Sequence, residues 1–572
     1  MKNQEIAQIF YNIADILEMR GVQWKPAAYR KAARALESLS EPVEDVFKEG
    51  GIKALEEIPG IGERLAKKII QYIKTGKIKE YERLKKGLPK GFLDLMNIQG
   101  IGPKKAQKLY KKLDIKSVKE LEQAAKKHKI QKLATFKEKT EENILKGIEM
   151  FKLKKGRMLL GLALPQAREI ISALKEVKDV QQVEAAGSLR RMKETIGDID
   201  ILVTSKSPDP VMDTFTKMPS VRRVLAKGET KSSVVLKTGL QVDVRVLDPS
   251  SFGSALQYFT GNKDHNIKLR AIAIKKGLKL SEYGLFTKKG NKKVAGKTEA
   301  EVYKKLGLPY IEPELRENNG EVEAAIQKKL PKLMTLKDIK GDLHTHTKAS
   351  DGVNTIKEVA EACKKLGYEY VCISDHSKST TIAHGLTEKQ VEKQIDEIRK
   401  INKKIKGIKI LTGTEVDILD DGSLDFSDKT LKKLDVVTAS VHKKFRMGKK
   451  QMTERILKAI SNDNVDIIGH PTGRLIGKRE GYDLDFEKIF KAAKDTKTVL
   501  EINSQPDRLD LNGYLVKDAK KQGIRFAVVT DAHSLAQLNF IELGVAMARR
   551  GWCEKKDVVN TLPLKQLMKK LK

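Results

Sequence analysis

The stretch Gly187–Val203, GSLRRMKETIGDIDILV, decides how the middle of the chain folds. A Gly-Ser turn at Gly187 and Ser188 leads into Arg190 and Arg191, then into Gly197-Asp198-Ile199-Asp200. Asp198–Val203 alternates polar and apolar residues, and in a strand side chains two apart share one face. Asp198 and Asp200 therefore project together, while Ile199, Ile201 and Val203 point into a core. Carboxylates so close repel unless a cation lies between them, and hard divalent Mg²⁺ suits oxygen ligands. Val242–Val246, VDVRV, is a second alternating strand, with Asp243 and Arg245 on its polar face. Carboxylates on neighbouring strands can hold two metal ions and leave positions for phosphate oxygens. Ser188 and Arg191 stand where they would grip those phosphates. Two polar strand faces turned to water would not explain why GS, RR and DxD follow in that order. The pattern points to nucleotidyl transfer.

The chain has 572 residues, enough for roughly four domains at ~150 residues each. Its formal charge of +36 and pI near 9.7 call for a polyanionic partner. Aromatic residues make up only 5%, so the core is expected to be aliphatic. No apolar run approaches the ~20 residues of a membrane span, and MKNQEIAQIF lacks the apolar core of a secretory signal. Cys363, Cys372 and Cys553 show no metal-binding spacing and suit a reducing compartment. Together these predict a cytoplasmic protein without a membrane partner.

Residues 1–80 read as helical, with Ile6, Ile9, Phe10, Ile13, Ile16 and Leu17 at helical spacing. A basic amphipathic helix, AYRKAARALESL (Ala28–Leu39), follows and carries Lys31, a DNA-binding candidate. Then Ile58-Pro59-Gly60-Ile61-Gly62 precedes ERLAKKIIQYI, and Ile98-Gln99-Gly100-Ile101-Gly102 precedes PKKAQKLYKKL. In both, a glycine hairpin joins two helices. Gly60, Gly62, Gly100 and Gly102 let backbone N–H groups approach a phosphate. Such helix-hairpin-helix units hold a strand by its backbone without reading sequence. A third copy, Ile130–Ile148, has Thr135 and Lys137 where glycines would sit and reads as helical scaffold. Beyond the central strands, Tyr258-Phe259-Thr260-Gly261 puts aromatic rings and a flexible glycine in a basic setting, where a ring could back a sugar or base.

Residues 1–315 resemble the family X DNA polymerases, the group containing DNA polymerase beta, in a bacterial or archaeal form. The resemblance rests on the hairpin pair, GSLRR, GDIDIL, VDVR, YFTG and SEY (Ser281–Tyr283). It implies a helical lyase-like domain over 1–85, helical fingers over 86–155, a nucleotidyltransferase palm over 156–260 and a thumb over 261–317. Asp198, Asp200 and Asp243 would bind two catalytic Mg²⁺ ions. Gly187, Ser188, Arg191 and the Gly197 backbone would hold the triphosphate of a dNTP. Tyr258, Phe259 and Gly261 would stand against the sugar, and Asn266 would face the base. Lys68, in LAKKI, aligns with the lysine that forms a Schiff base with a 5′-deoxyribose phosphate; a solvated lysine on a helix face is the competing reading. Some relatives carry arginine where this chain has Gln241, which bears on how the primer end is oriented.

Residues 318–338 read as a linker. Beyond them, Asp342–His346, Tyr370–Asp375, Ile408–Glu415, Val436–Val441, Ile467–His470, Val499–Ile502 and Arg525–Asp531 alternate as short apolar strands with amphipathic helices. That rhythm predicts a seven-stranded parallel (β/α) barrel over 339–572. The chain has nine histidines. His344, His346, His376, His442, His470 and His533 stand at or just past the C-terminal ends of these strands, with Asp351, Glu415 and Asp531. That rim is where barrels build sites. Imidazole with carboxylate suits Mn²⁺, Zn²⁺ or Fe²⁺ better than Mg²⁺. His384, in IAHGL, falls outside this set and reads as a loop residue. GDLHTHT, SDHSKS, GTEVDI, SVHKK, GHPTGR, EINS and TDAH resemble the PHP family, polymerase and histidinol phosphatase. The resemblance implies a centre of up to three metals, Mn²⁺ or Zn²⁺, that hydrolyses phosphate esters. Expected overall is a monomeric gap-filling DNA polymerase of base excision repair acting on gapped or primer-template DNA, with a 3′-5′ exonuclease in the barrel. Phosphatase, AP endonuclease and purely structural roles for the barrel stay open at this point.

Overall fold

The computed structural model describes residues 2–38, 43–89, 91–96, 98, 100–133, 136–154 and 157–571. Leu39, Gln99 and Thr135, which enter the helix and hairpin readings, lie outside them. The described part of 1–154 is helical and packs round a mainly aliphatic core in which Ile6, Ile13, Leu36, Ile69 and Leu109 are buried together with Phe10. The two hairpins repeat in geometry. Gly60 and Gly100 have φ of 89° and 86°, a left-handed backbone that glycine adopts without strain. Gly62 and Gly102 each cap the next helix, Glu63–Thr75 and Pro103–Leu113, without a side-chain bond. The free N–H groups at those helix starts are what a phosphate would meet. The third copy differs, because buried Glu141 accepts from the N–H groups of Ile130 and Gln131 at 3.0 and 3.1 Å. That carboxylate ties its helix to the turn that precedes the hairpin positions.

A five-stranded sheet follows, in the order Val180–Ala185, Asp198–Ser205, Gln241–Leu247, Lys231–Leu236, Val221–Lys227. Asp198–Ser205 runs parallel to Gln241–Leu247 and antiparallel to Val180–Ala185. The register sets Asp200 opposite Asp243 and Asp198 opposite Gln241. Ile199, Ile201 and Val203 are fully buried, as the alternation predicts. Helices Phe252–Thr260 and Lys263–Lys275 lead to a small three-stranded sheet.

The segment read as a polar linker is instead packed. Glu321 is fully buried, Val322 and Ala325 pack against the neighbouring core, and Met334 is buried. Its polarity is internal: Glu321 meets the buried His265 ring at 2.7 Å, and that ring meets the Tyr303 hydroxyl at 2.9 Å.

The C-terminal part forms seven parallel strands in sequence order: Gly341–Thr345, Tyr370–Ile373, Lys409–Asp417, Val436–Ser440, Ile467–Ile468, Val499–Asn503 and Phe526–Val529. First and last edges meet where the His346 N–H donates to the Ala532 carbonyl at 2.8 Å, so the barrel is nearly closed. The barrel and the five-stranded sheet share one continuous apolar core. At Gly161 a Cβ would lie 2.7 Å from Pro506 and 3.0 Å from Leu543, so glycine there permits the close docking. All three cysteines are buried and unpaired. Among the described residues no helix is long and apolar enough to cross a membrane.

Candidate active sites

The sheet brings the predicted carboxylates together on adjacent strands. Burial, then the charges of Asp198 and Asp243, push Asp200 up to about 6. Burial also opposes the charge of Asp243, but hydrogen bonds from Gln241, Lys231 and Ser233 outweigh it and hold that carboxyl low. Gln241 Nε2 donates to Asp243 Oδ1 at 3.0 Å, and Lys231 Nζ stands 3.0 Å from Oδ2. Gln241 thus steadies a carboxylate. Gly187 has φ of 63° and lies so close that a Cβ would sit 2.8 Å from Asp200 Oδ2. Ser188 follows it in the short turn Gly187–Arg190, and a Cβ on Gly197 would meet Arg157 Nη1 at 3.0 Å. Arg191 donates from Nε to Glu317 at 2.9 Å and from Nη1 to the Thr260 carbonyl at 2.5 Å.

Tyr258 and Phe259 meet edge to face at 5.2 Å, and the Arg245 guanidinium lies 4.6 Å over the Phe259 ring. Gly261 ends their helix with φ of 68°. Asn266 is 7% exposed; its Oδ1 accepts from Gln257 at 2.6 Å and its Nδ2 donates to the Tyr258 carbonyl at 2.7 Å. Both of its polar ends therefore have protein partners. In the N-terminal helical part, Lys68 Nζ is 3.0 Å from Glu80 Oε2, which also accepts from the Tyr29 hydroxyl at 2.9 Å. Lys31 lies over Gly60, where a Cβ would meet its side chain at 2.7 Å.

On the barrel rim the strand ends deliver the ligand candidates to one point. Three overlapping groups could each hold an ion: His346, Asp351, His376 and His533; His344, His346 and Asp531; His376, Glu415 and His442. His470 joins them, its Nε2 2.9 Å from Glu415 Oε1. His344 Nε2, both ring nitrogens of His346, and Nδ1 of His376 and His470 are buried without a hydrogen-bond partner. Buried polar atoms normally have partners, so this donor set fits divalent cations. Burial favours neutral imidazoles, yet the carboxylates outweigh it and hold His344 well above its ordinary value and His442 and His533 at about 9. His346 falls to about 4 through burial and the neighbouring His533 and His376. Glu415 and Asp531 are buried yet held low by the surrounding histidines.

Sequence reasoning missed the groups behind these ligands. Glu501 Oε2 meets His344 Nδ1 at 2.7 Å, and Asp417 Oδ1 lies 3.5 Å from His442 Nδ1. Arg508 Nε stands 3.7 Å from Asp531 Oδ2. A carboxylate inside the apolar run Val499–Asn503 was the available signal for Glu501. His384 lies apart, in a left-handed turn.

Family models match at 1–78 (helix-hairpin-helix domain), 92–149 (SAM-like helix-hairpin-helix tandem), 165–265 (DNA polymerase beta palm), 255–317 (DNA polymerase beta thumb) and 342–505 (PHP domain). The chain is 39% identical over 574 aligned residues to "DNA polymerase/3′-5′ exonuclease PolX" of Bacillus subtilis (strain 168), covering 99% of each. It is 28% identical to DNA polymerase lambda of Rattus norvegicus, covering 55% of this chain and 56% of that one. A protein of Thermoanaerobacter sp. (strain X514) named "Probable phosphatase" is 34% identical over 38% of this chain and 89% of its own length. The chain belongs to the PolX family, the family X DNA polymerases that continue into a PHP domain.

Proposed function

We propose that the chain is a DNA polymerase that fills short gaps during repair and carries a 3′-5′ exonuclease in its barrel. The observation that supports this best is the pair of separate constellations, carboxylates alone on the sheet and mixed imidazole and carboxylate on the rim. Asp198, Asp200 and Asp243 would hold two Mg²⁺ ions, which when bound polarise phosphate oxygens and favour ionisation of the primer hydroxyl. The protein's own part is positioning. Gly187 allows the backbone to run beside Asp200, Ser188 and Arg191 grip the triphosphate, and Gln241 and Lys231 fix the Asp243 carboxylate. Tyr258 and Phe259 back the sugar, and Asn266, braced by Gln257, shapes the wall near the base. The hairpin glycines and Lys31 hold the DNA backbone.

On the rim, the six histidines with Asp351, Glu415 and Asp531 would hold up to three Mn²⁺ or Zn²⁺ ions, which when bound activate water for phosphodiester hydrolysis. Glu501 and Asp417 orient the rings of His344 and His442 so that their Nε2 atoms face the cluster. Arg508 could neutralise charge on a phosphate. A Schiff-base role for Lys68 would require its side chain to leave the ion pair with Glu80. We place the protein in the cytoplasm as a monomer, with units divided near residues 85, 155, 260, 317 and 338. The test is a gapped duplex with a defined 3′ end, given Mg²⁺ or Mn²⁺, with and without dNTPs. Extension with dNTPs and 3′ shortening without them is the expected result. Phosphate release from a small ester without shortening would leave the barrel a phosphatase.

A further inference from the structure

The basic turn of the palm is held from behind by the barrel. Glu317, at the end of the thumb, is 10% exposed and faces Arg191. Its Oε1 accepts from Arg191 Nε at 2.9 Å and from Arg550 Nη1 at 3.2 Å. Lys193 Nζ stands 3.5 Å from Oε2, and Asn262 Nδ2 donates to it at 3.5 Å. Arg550 closes the last turn of the barrel helix Ile541–Arg550. Its Nη1 also donates to the backbone carbonyl of Arg191 at 2.7 Å, so one guanidinium grips both Arg191 and the carboxylate that orients Arg191. The preceding Arg549 locks the same junction through Glu314 at 2.7 Å and the Met334 carbonyl at 2.8 Å.

Three cations share the Glu317 carboxylate, which leaves positive charge over where a triphosphate would lie. A guanidinium already held on two sides loses little freedom when a phosphate binds its remaining N–H groups. Arg550 reaches the palm through the Arg191 carbonyl and Glu317.

We infer that Arg550, a barrel residue, is a positioning residue for nucleotide binding in the palm, acting through Glu317 on Arg191. This rests on the reading that Arg191 grips the triphosphate. The barrel then belongs to the polymerase site as well as to its own, and its removal would weaken nucleotide capture even with the exonuclease silent.

The experiment measures dNTP KM and kcat on gapped DNA, with 3′ shortening followed in parallel, for full-length Arg191→Ala, Arg550→Ala, Arg550→Lys and Glu317→Gln. Arg550→Ala should raise KM about fivefold, the scale of the net contribution of one ordinary hydrogen bond, with kcat and 3′ shortening little changed. Arg550→Lys keeps the charge without the fork and should fall between. Glu317→Gln adds net positive charge, so electrostatics alone would lower KM; a rise shows that orientation dominates. Should Arg550→Ala fail to fold, the isosteric Glu317→Gln and the Arg550→Lys variants decide. Arg191→Ala separates the two claims. If it leaves KM unchanged, the triphosphate reading falls. If it raises KM while Arg550→Lys and Glu317→Gln do not, the positioning inference is overturned.

Discussion

In the five-stranded sheet the carboxylates stand together without an imidazole among them, and on the barrel rim histidines are interleaved with carboxylates. The first arrangement is under electrostatic stress: Asp200 is pushed up to about 6 by burial and by Asp198 and Asp243. The second is compensated within itself, with Glu415 and Asp531 held low and His442 and His533 at about 9. A stressed carboxylate site gains from any hard cation and needs few protons removed. A compensated site must release imidazolium protons before its nitrogens can serve as ligands. The chain therefore offers one site that a hard divalent cation would relieve and another whose ligands must first lose protons.

The largest effect should come from Asp198→Ala with Asp200→Ala. Gap filling should fall by about 10³-fold or more, the several kcal/mol that metal assistance supplies. DNA binding should persist, because the hairpins lie elsewhere; retained incorporation would break the contrast at its first term. The metal dependence of the two activities with pH should differ next. Raised His442 and His533 stay protonated below about 9, so 3′ processing should need less metal as pH rises from 7 to 9. The gain is up to about tenfold per pH unit for each proton displaced. Gap filling should change little there and weaken only below about 6, where Asp200 takes up its proton. Parallel metal titrations at stepped pH check this.

Most of the contrast is legible in the sequence. Asp198 and Asp200 fall on one face because a strand repeats every second residue, and Ile199, Ile201 and Val203 mark the buried side. The barrel strands stood out as short apolar runs, and His-x-His and Asp-x-His at their ends marked the rim. The packed segment after residue 317 did not stand out. Glu317 and Glu321 are charged, and nothing in their neighbourhood along the chain shows that Arg550 and His265 bury them. Pairing over such separations is a tertiary fact. Glu501 was missed for a related reason, since a lone carboxylate in a buried strand acquires meaning only when His344 is seen against it.

Smaller effects sharpen the comparison. Asp200 binds a proton more tightly folded than unfolded, so native stability falls as pH rises between about 4 and about 6 and the strain persists above that. Asp200→Asn should therefore raise the melting temperature at pH 7.5 by about 2–4 °C. Mg²⁺ should stabilise the wild type at that pH and do little for the variant. A melting temperature lowered by the substitution would mean the site is not under stress. The smallest expected change is at a hairpin. Gly100→Ala strains a left-handed position with open space around its Cβ, so DNA affinity should fall modestly. The log–log salt slope should drop by about 0.9 if one phosphate contact is lost. An unchanged slope would remove that glycine from the DNA interface.

The most direct test of two independent chemistries uses His344→Ala with His346→Ala in the full chain. These residues leave one strand of the barrel and share ligand positions with Asp531, while the sheet's carboxylates have no contact with them. The measurement follows label released from a 3′-labelled gapped duplex in Mn²⁺ without dNTPs, and extension of the same duplex when dNTPs are added. The account predicts that the variant loses label release and keeps gap filling. Equal release by variant and wild type would place the nuclease outside the barrel and contradict it.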